Sequence, residues 1–353
     1  MTAPLFDREA LDQSLLEREL ALAAWTASND YPADGWELDS LLALKRETVS
    51  VILPAREVAD TIGNVVAALA PFERAGLVDE LVVVDAASGD ATAEVASQRG
   101  ATVMQESEIL TAFGPAQGKG DAMWRGLAAT SGEIVVYIDT DTRDFDERFL
   151  LGLLGPLFAR PDVHLVKGAF RRPFKVDGAA PVADGGGRVT ELVARPLLNL
   201  YAPELAGFAQ PLAGETAGRR ELLESIPFPV GYGIEIAMMI DVAARSGVEA
   251  MAQVDLGTRQ NRHQPLRDLG AMAYAVLAAA TRRFHGAAAV DDARGAGALA
   301  VHGTDAPELR EISLEERPPL STLAAGTRSD DGRFGPSAGG DPPSGRFSTS
   351  AYR

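Results

Sequence analysis

Two aspartates separated by one residue, Asp139 and Asp141, follow an apolar, β-branched run at residues 134–138. Runs this short and rich in Val and Ile form strands buried on both faces. The carboxyl end of such a strand is where the chain leaves an open α/β sheet, and ligands bind there. Two carboxylates at that edge repel each other and lose solvation. A divalent cation bridging to phosphate oxygens removes that cost, since Mg2+ commonly sits on one or two carboxylates plus substrate phosphates. The alternative is a plain strand-to-helix loop, because Asp144 and Glu147 have the spacing of a helix cap.

Further groups along the chain suit an anionic ligand. Gly118-Lys119-Gly120 opens a predicted helix. Its glycines let backbone approach a phosphate, the helix start favours an anion, and Lys119 adds a mobile charge. The spacing is not that of a P-loop, and a solvated loop lysine is the competing reading. Gly185-Gly186-Gly187-Arg188-Val189-Thr190 offers backbone N–H groups, a guanidinium and a hydroxyl at a helix start, which suits a phosphate or a carboxylate; its alternative is a flexible turn. Arg259-Gln260-Asn261-Arg262-His263 crowds two guanidiniums, an amide and an imidazole after a predicted strand, a pattern that favours a pocket. Glu235 stands inside an otherwise apolar helix and needs a partner, either a sugar hydroxyl or an arginine. Asp85, just past the second strand, either bonds a ribose or base, or caps its own turn. Pro54 to Glu57 close the first strand, as a platform for a base or as an ordinary loop.

The elements that must position these groups alternate. Strands are expected at 48–53, 81–84, 101–104 and 134–138, with helices at 59–72, 91–98, 118–129 and 148–158. This is the order of βαβ units with a mainly parallel sheet. Past residue 163 the pattern changes to a strand at 163–170, the glycine-rich turn, a loop at 203–215, a helix at 232–246, a strand with its exit loop at 254–261 and a long helix at 268–284. Ahead of the first strand, residues 7–26 form an amphipathic helix carrying Leu11, Leu15 and Leu22 on one stripe, residues 29–36 a loop, and residues 38–45 a short helix. The expected organisation is an N-terminal helical segment (1–46), a main domain (47–285, divided at 162/163) and a C-terminal extension (286–353), largely disordered from about residue 318.

Composition narrows the function. The 353 residues are 46% hydrophobic, enough for a substantial core, and carry a net charge of −17. Such a chain does not bind nucleic acid through a global basic field; local charge or metal must serve any anionic substrate. Cysteine is absent, which rules out thiolate catalysis and fits a cytoplasmic protein. No apolar run approaches a membrane span, and no leader is expected.

Together the motifs resemble the GT-A nucleotide-sugar glycosyltransferases. More narrowly, the chain is similar to the glucosyl-3-phosphoglycerate synthases and mannosyl-3-phosphoglycerate synthases. The resemblance rests on Val51-Ile-Leu-Pro-Ala55, Gly118-Lys-Gly-Asp-Ala-Met-Trp124, Tyr137-Ile-Asp-Thr-Asp141, Gly185-Gly-Gly-Arg-Val-Thr-Glu-Leu-Val-Ala-Arg-Pro196, Gln210-Pro-Leu-Ala-Gly-Glu215 and Gly231-Tyr-Gly-Ile-Glu235. It spans roughly residues 35–285. It implies a GT-A α/β fold, with a nucleotide-sugar half at 47–162 and an acceptor half at 163–285.

The implied activity is metal-dependent, retaining transfer of glucose from a UDP- or GDP-sugar to the 2-hydroxyl of 3-phosphoglycerate, with Mg2+ or Mn2+. Mannose transfer from GDP-mannose is the alternative; a polyprenyl-phosphate glycosyltransferase or a non-catalytic nucleotide-sugar-binding module lies further off. The product would be a compatible-solute or polysaccharide precursor, and the resemblance suggests a homodimer. It implies that Pro54, Ala55, Glu57 and Asp85 hold the base and ribose. Lys119 would reach the diphosphate, Asp139 would contact ribose or sugar, and Glu235 would bond the transferred sugar. Gly187, Arg188 and Thr190, with Asn261 and Arg262, would take 3-phosphoglycerate. Asp141 would ligate the metal with Asn261, which has the register of the family's usual His, or with His263.

Overall fold

The computed structural model describes residues 8–172, 186–259, 266–302, 306–323 and 333–334. The strands in chain order are β1 (Asp30–Pro32), β2 (Val49–Ala55), β3 (Glu80–Asp85), β4 (Thr102–Gln105), β5 (Ile134–Tyr137), β6 (Leu165–Arg171), β7 (Thr216–Arg219), β8 (Phe228–Pro229), β9 (Met251–Thr258), β10 (Ala298–His302), β11 (Pro307–Glu311) and β12 (Glu316–Arg317). Eight of them form one sheet in the order β1-β9-β6-β7-β5-β2-β3-β4. Every pair is parallel except those of β7, which runs antiparallel to both β5 and β6. The expected mostly parallel α/β architecture is present.

Strand β2 shows how the sheet is covered. Val51 and Leu53 pack into one core with Val65, Leu69, Leu150 and Leu154. Ile52 faces the other core, with Trp124, Leu127, Tyr137 and Met238. Alternate residues serve opposite faces, and both are apolar because helices lie on both sides. All four residues of β5 are buried. Chain order sends β3 and β4 to one side of β2 and places β5 on its other side, so the connections reverse direction between β2 and β5. The crevice at the carboxyl ends of those two strands is the switch point where such sheets bind ligands.

Three expectations change. Residues 30–32, taken as loop, extend the sheet as β1, and Thr216-Ala-Gly-Arg219 forms β7 without a β-branched run to announce it. The N-terminal helix, Arg8–Asn29, leaves Leu15, Leu16 and Leu20 exposed and buries Trp25 instead. The expected disorder from residue 318 does not hold for 318–323. Arg317 is buried, donating from Nε and Nη2 to Asp121 at 2.8 and 2.7 Å. Trp124 Nε1 donates to the Pro318 carbonyl at 2.9 Å, and Leu320 is buried. The extension is thus bolted to the helix Lys119–Ala129. Residues 324–332 and 335–353 lie outside the described residues.

Candidate active site

A cavity of about 700 Å³ opens at the switch point. Pro54 and Ala55, the last two residues of β2, and Asp139 and Asp141, just past β5, share its wall. The residue between the two acids explains their presentation. Thr140 is buried; its Oγ1 donates to the Pro54 carbonyl at 2.7 Å, and its own carbonyl accepts from Thr61 Oγ1 at 2.7 Å. The middle residue anchors the turn to β2 and leaves its acidic neighbours facing the cavity. Their environments differ: the Asp139 side chain is 20% exposed and that of Asp141 50%.

Asp139 is clamped between cations. Lys119 Nζ stands 2.6 Å from its Oδ1, and Arg259 Nη2 is 3.4 Å from its Oδ2. Burial alone would raise its pKa, but the ammonium and guanidinium outweigh this and hold it well below the usual carboxylate range. Lys119 also reaches Glu235 Oε1 at 2.7 Å. Burial opposes its charge, yet the two carboxylates keep it protonated far above the ordinary lysine range. The partner of Glu235 is therefore Lys119, where the sequence left a sugar or an arginine open. Two of the three ammonium hydrogens are engaged by protein, leaving one for a ligand.

Arg259 is fully buried at the end of β9 and joins the cluster from the other side. Its Nη2 lies 3.1 Å from Asp141 Oδ1, and its Nη1 donates to Glu215 Oε1. The Glu215 carboxyl is itself fully buried, which raises its pKa against the pull of Arg259. Beneath them Lys167 donates to the Ala213 carbonyl at 2.5 Å and to Thr216 Oγ1 at 3.0 Å. Burial lowers its pKa to about 8. Between these anchors Gly214 packs on the Asp139 carboxylate: a Cβ there would stand 2.2–2.4 Å from its three atoms.

The acceptor-side turn borders the same cavity. Gly187, at φ +69, Arg188 and Thr190 line it at the start of the helical stretch that continues through Arg195–Tyr201. The structure thus gathers Pro54, Ala55, Lys119, Asp139, Asp141, Glu235, Gly187, Arg188 and Thr190 around one space.

Two expected donor residues stand back from it. Asp85 is buried, and its oxygens accept from Ser88 Oγ at 2.6 Å, Ser88 N at 3.3 Å and Gln105 Nε2 at 3.0 Å. This is the turn-capping alternative. Glu57, at φ +53, turns its Oε1 to the Gly89 N–H at 2.7 Å and ties the loop after β2 to the loop after β3. Arg56 and Ala86 line the cavity where these two were expected. Gly185, Asn261, Arg262 and His263 lie outside the described residues, so the late loop's metal and acceptor assignments remain expectations.

Sequence reasoning left Glu215 and Arg172 out of the site. Both carried a signal: Glu215 ends the Gln210–Glu215 stretch, and Arg172 is one of two basic residues closing a strand. Arg259, singled out for a pocket, lines it.

The donor set suits a divalent cation. Among the described residues no three His, Cys, Asp or Glu side chains group as a metal cage. One half-exposed carboxylate, Asp141, beside a cavity rich in cations matches a metal that takes most of its oxygens from a diphosphate and water.

Comparison with known proteins follows the same lines. The family model for glycosyl transferase family 2 matches residues 50–213. The chain is 44% identical over 301 residues to the glucosyl-3-phosphoglycerate synthase of Mycolicibacterium smegmatis, covering 85% of this chain and 98% of that one. The solved mannosyl-3-phosphoglycerate synthase of Rubrobacter xylanophilus superposes with a TM-score of 0.76 at 45% identity, covering 85% of this chain and 99% of that one. The glucosyl-3-phosphoglycerate synthase of Mycobacterium tuberculosis, solved in complex with Mn2+, UDP-glucose and phosphoglyceric acid, superposes with a TM-score of 0.75 at 41% identity, covering 84% and 99%.

Proposed function

The chain belongs to the glucosyl-3-phosphoglycerate and mannosyl-3-phosphoglycerate synthase family of glycosyltransferases, and on that premise we propose that it transfers glucose from UDP-glucose to the 2-hydroxyl of 3-phosphoglycerate. One observation carries the reading: a single cavity joins Asp139, Asp141 and Lys119 at the switch point to the Gly187-Arg188-Thr190 turn. It provides one anion-suited place for a sugar nucleotide and a second for a phosphorylated acceptor. GDP-mannose is the alternative donor, favoured by the likeness to the Rubrobacter xylanophilus structure.

Each residue has a role that its surroundings allow. Pro54 and Ala55 present backbone to the nucleotide. Asp139 and Glu235, held by Lys119, accept hydrogen bonds from sugar hydroxyls. Asp141, with Asn261 or His263, would hold Mg2+ or Mn2+ against the donor diphosphate. The metal would neutralise the charge that develops there as the sugar departs.

The acceptor's 2-oxygen attacks the anomeric carbon from the face that the diphosphate leaves, and the anomeric C–O bond breaks. The hydroxyl proton passes to a diphosphate oxygen, and configuration is retained. No protein nucleophile is required. Asp139 has both oxygens on cations, which suppresses its nucleophilicity. Catalysis then rests on positioning and charge.

The reading includes a homodimer in the cytoplasm and a product that serves as a compatible-solute or polysaccharide precursor. Leu15, Leu16 and Leu20, with Leu200 nearby through the Arg18–Asn199 hydrogen bond, form an exposed apolar face suited to a second copy. Light scattering should give twice 37.2 kDa, and a single-chain mass would remove the dimer. No described helix is long and apolar enough to cross a membrane.

Arg188→Ala tests the acceptor assignment. Loss of a charge-assisted partner should raise the 3-phosphoglycerate KM by about 10- to 100-fold while the donor KM stays near wild type. Equal rises in both would move Arg188 out of the acceptor site.

A further inference from the structure

The cavity's cations are not equivalent. Lys119 already holds two carboxylates, and Arg259 holds three. Arg172, just past β6, lines the same space in a different state. Its guanidinium lies over the Phe170 ring, 4.8 Å from the centroid, beside that of Arg259 at 5.3 Å from the same ring. Its Nε is buried with no hydrogen-bond partner. Burial, then the neighbouring charge of Arg259, pulls its pKa below the ordinary guanidinium range. The carboxylates of Glu215, Asp139 and Asp141 act on it in the opposite sense, yet none of them forms an ion pair with it, so this half-buried guanidinium is free to take a further anion.

The backbone fixes where that anion must sit. Gly186 N donates to the Arg172 carbonyl at 2.9 Å, and a Cβ on Gly187 would stand 3.8 Å from both Arg172 Cδ and Thr190 Oγ1. Arg172 therefore flanks the 187–190 turn and shares the Phe170 ring with the guanidinium that holds the acid pair.

Resting on the acceptor assignment above, we propose that Arg172 binds the carboxylate of 3-phosphoglycerate, while Gly187, Arg188 and Thr190 hold its phosphate. The acceptor carries two anionic groups, one on each side of the carbon that bears the attacking hydroxyl. One turn with one arginine serves one of them. The carboxylate carbon is bonded directly to the reacting C2, whereas the phosphorus is three bonds away. The guanidinium that shares the Phe170 ring with Arg259, the partner of the acid pair, thus takes the carboxylate, with the fork geometry that suits it. Arg172 would then distinguish a phosphoglycerate from glycerol 3-phosphate, which has the same phosphate and 2-hydroxyl but no carboxylate.

Calorimetric binding of each ligand to the full chain tests this, with donor KM as control. Arg172→Met should weaken 3-phosphoglycerate binding about 30-fold, the scale of a charge-assisted pair, and leave glycerol 3-phosphate binding and the donor KM unchanged. Arg172→Lys, which keeps the charge and loses the fork, should show a smaller loss with the same ligand preference, and it carries the test if the Met variant fails to fold. Equal weakening of both ligands, or undiminished 3-phosphoglycerate binding, overturns the role of Arg172. Failure of the wild type to bind 3-phosphoglycerate overturns the acceptor assignment itself, and this inference with it.

Discussion

Asp141→Ala should abolish metal-dependent donor binding and lower kcat/KM by about 10³-fold or more, because the leaving diphosphate loses the charge opposite it. The fold should survive. The Asp141 side chain is half exposed, and it pairs with Arg259, which keeps Glu215 and Asp139. Removing a half-exposed carboxylate whose buried partner keeps two other acids costs about 1 kcal/mol, so the thermal midpoint should shift by only a few degrees. Calorimetric titration of UDP-glucose with and without Mn2+ reads the effect. Wild-type turnover by the variant would remove Asp141 from the metal site.

Gly214→Ala should be nearly as damaging, though its side chain would be a single methyl. The new Cβ would lie 2.2–2.4 Å from the Asp139 carboxylate. The backbone has little room to retreat, because Lys167 holds the Ala213 carbonyl and Thr216 enters β7. Asp139 must swing away and surrender its contacts with Lys119 and Arg259. Displacing a positioned group by about 1 Å costs on the order of 10² in rate, so kcat should fall at least that far. The kinetic profile should match that of Asp139→Asn. Near-normal kcat in Gly214→Ala would mean that the clamped position of Asp139 does not matter to the reaction.

What the sequence revealed depended on how local its cause was. The strand Ile134–Tyr137 was legible because four consecutive apolar residues have no other use, and the acids after it followed from where such strands end. The anchoring by Thr140 was not legible, since it requires Pro54 and Thr61, both distant in sequence. Glu215 and Arg259 are 44 residues apart, so neither announces the other. Asp85 and Glu57 show the limit in the opposite direction. A carboxylate at a strand end is visible in the sequence, but its capture by Ser88, Gln105 or Gly89 is decided by loop geometry. The extension misled for a similar reason. A charged, proline-rich stretch resembles solvated chain until Arg317 finds Asp121, 196 residues earlier.

The central claim is tested most directly by the product. Protein, Mn2+, UDP-glucose and 3-phosphoglycerate are incubated together and followed by proton NMR. The account predicts UDP and an α-configured glucosyl-3-phosphoglycerate in equal amounts, with no UDP release when either the metal or 3-phosphoglycerate is left out. Intact UDP-glucose, free glucose formed independently of 3-phosphoglycerate, or a β-configured product would contradict it.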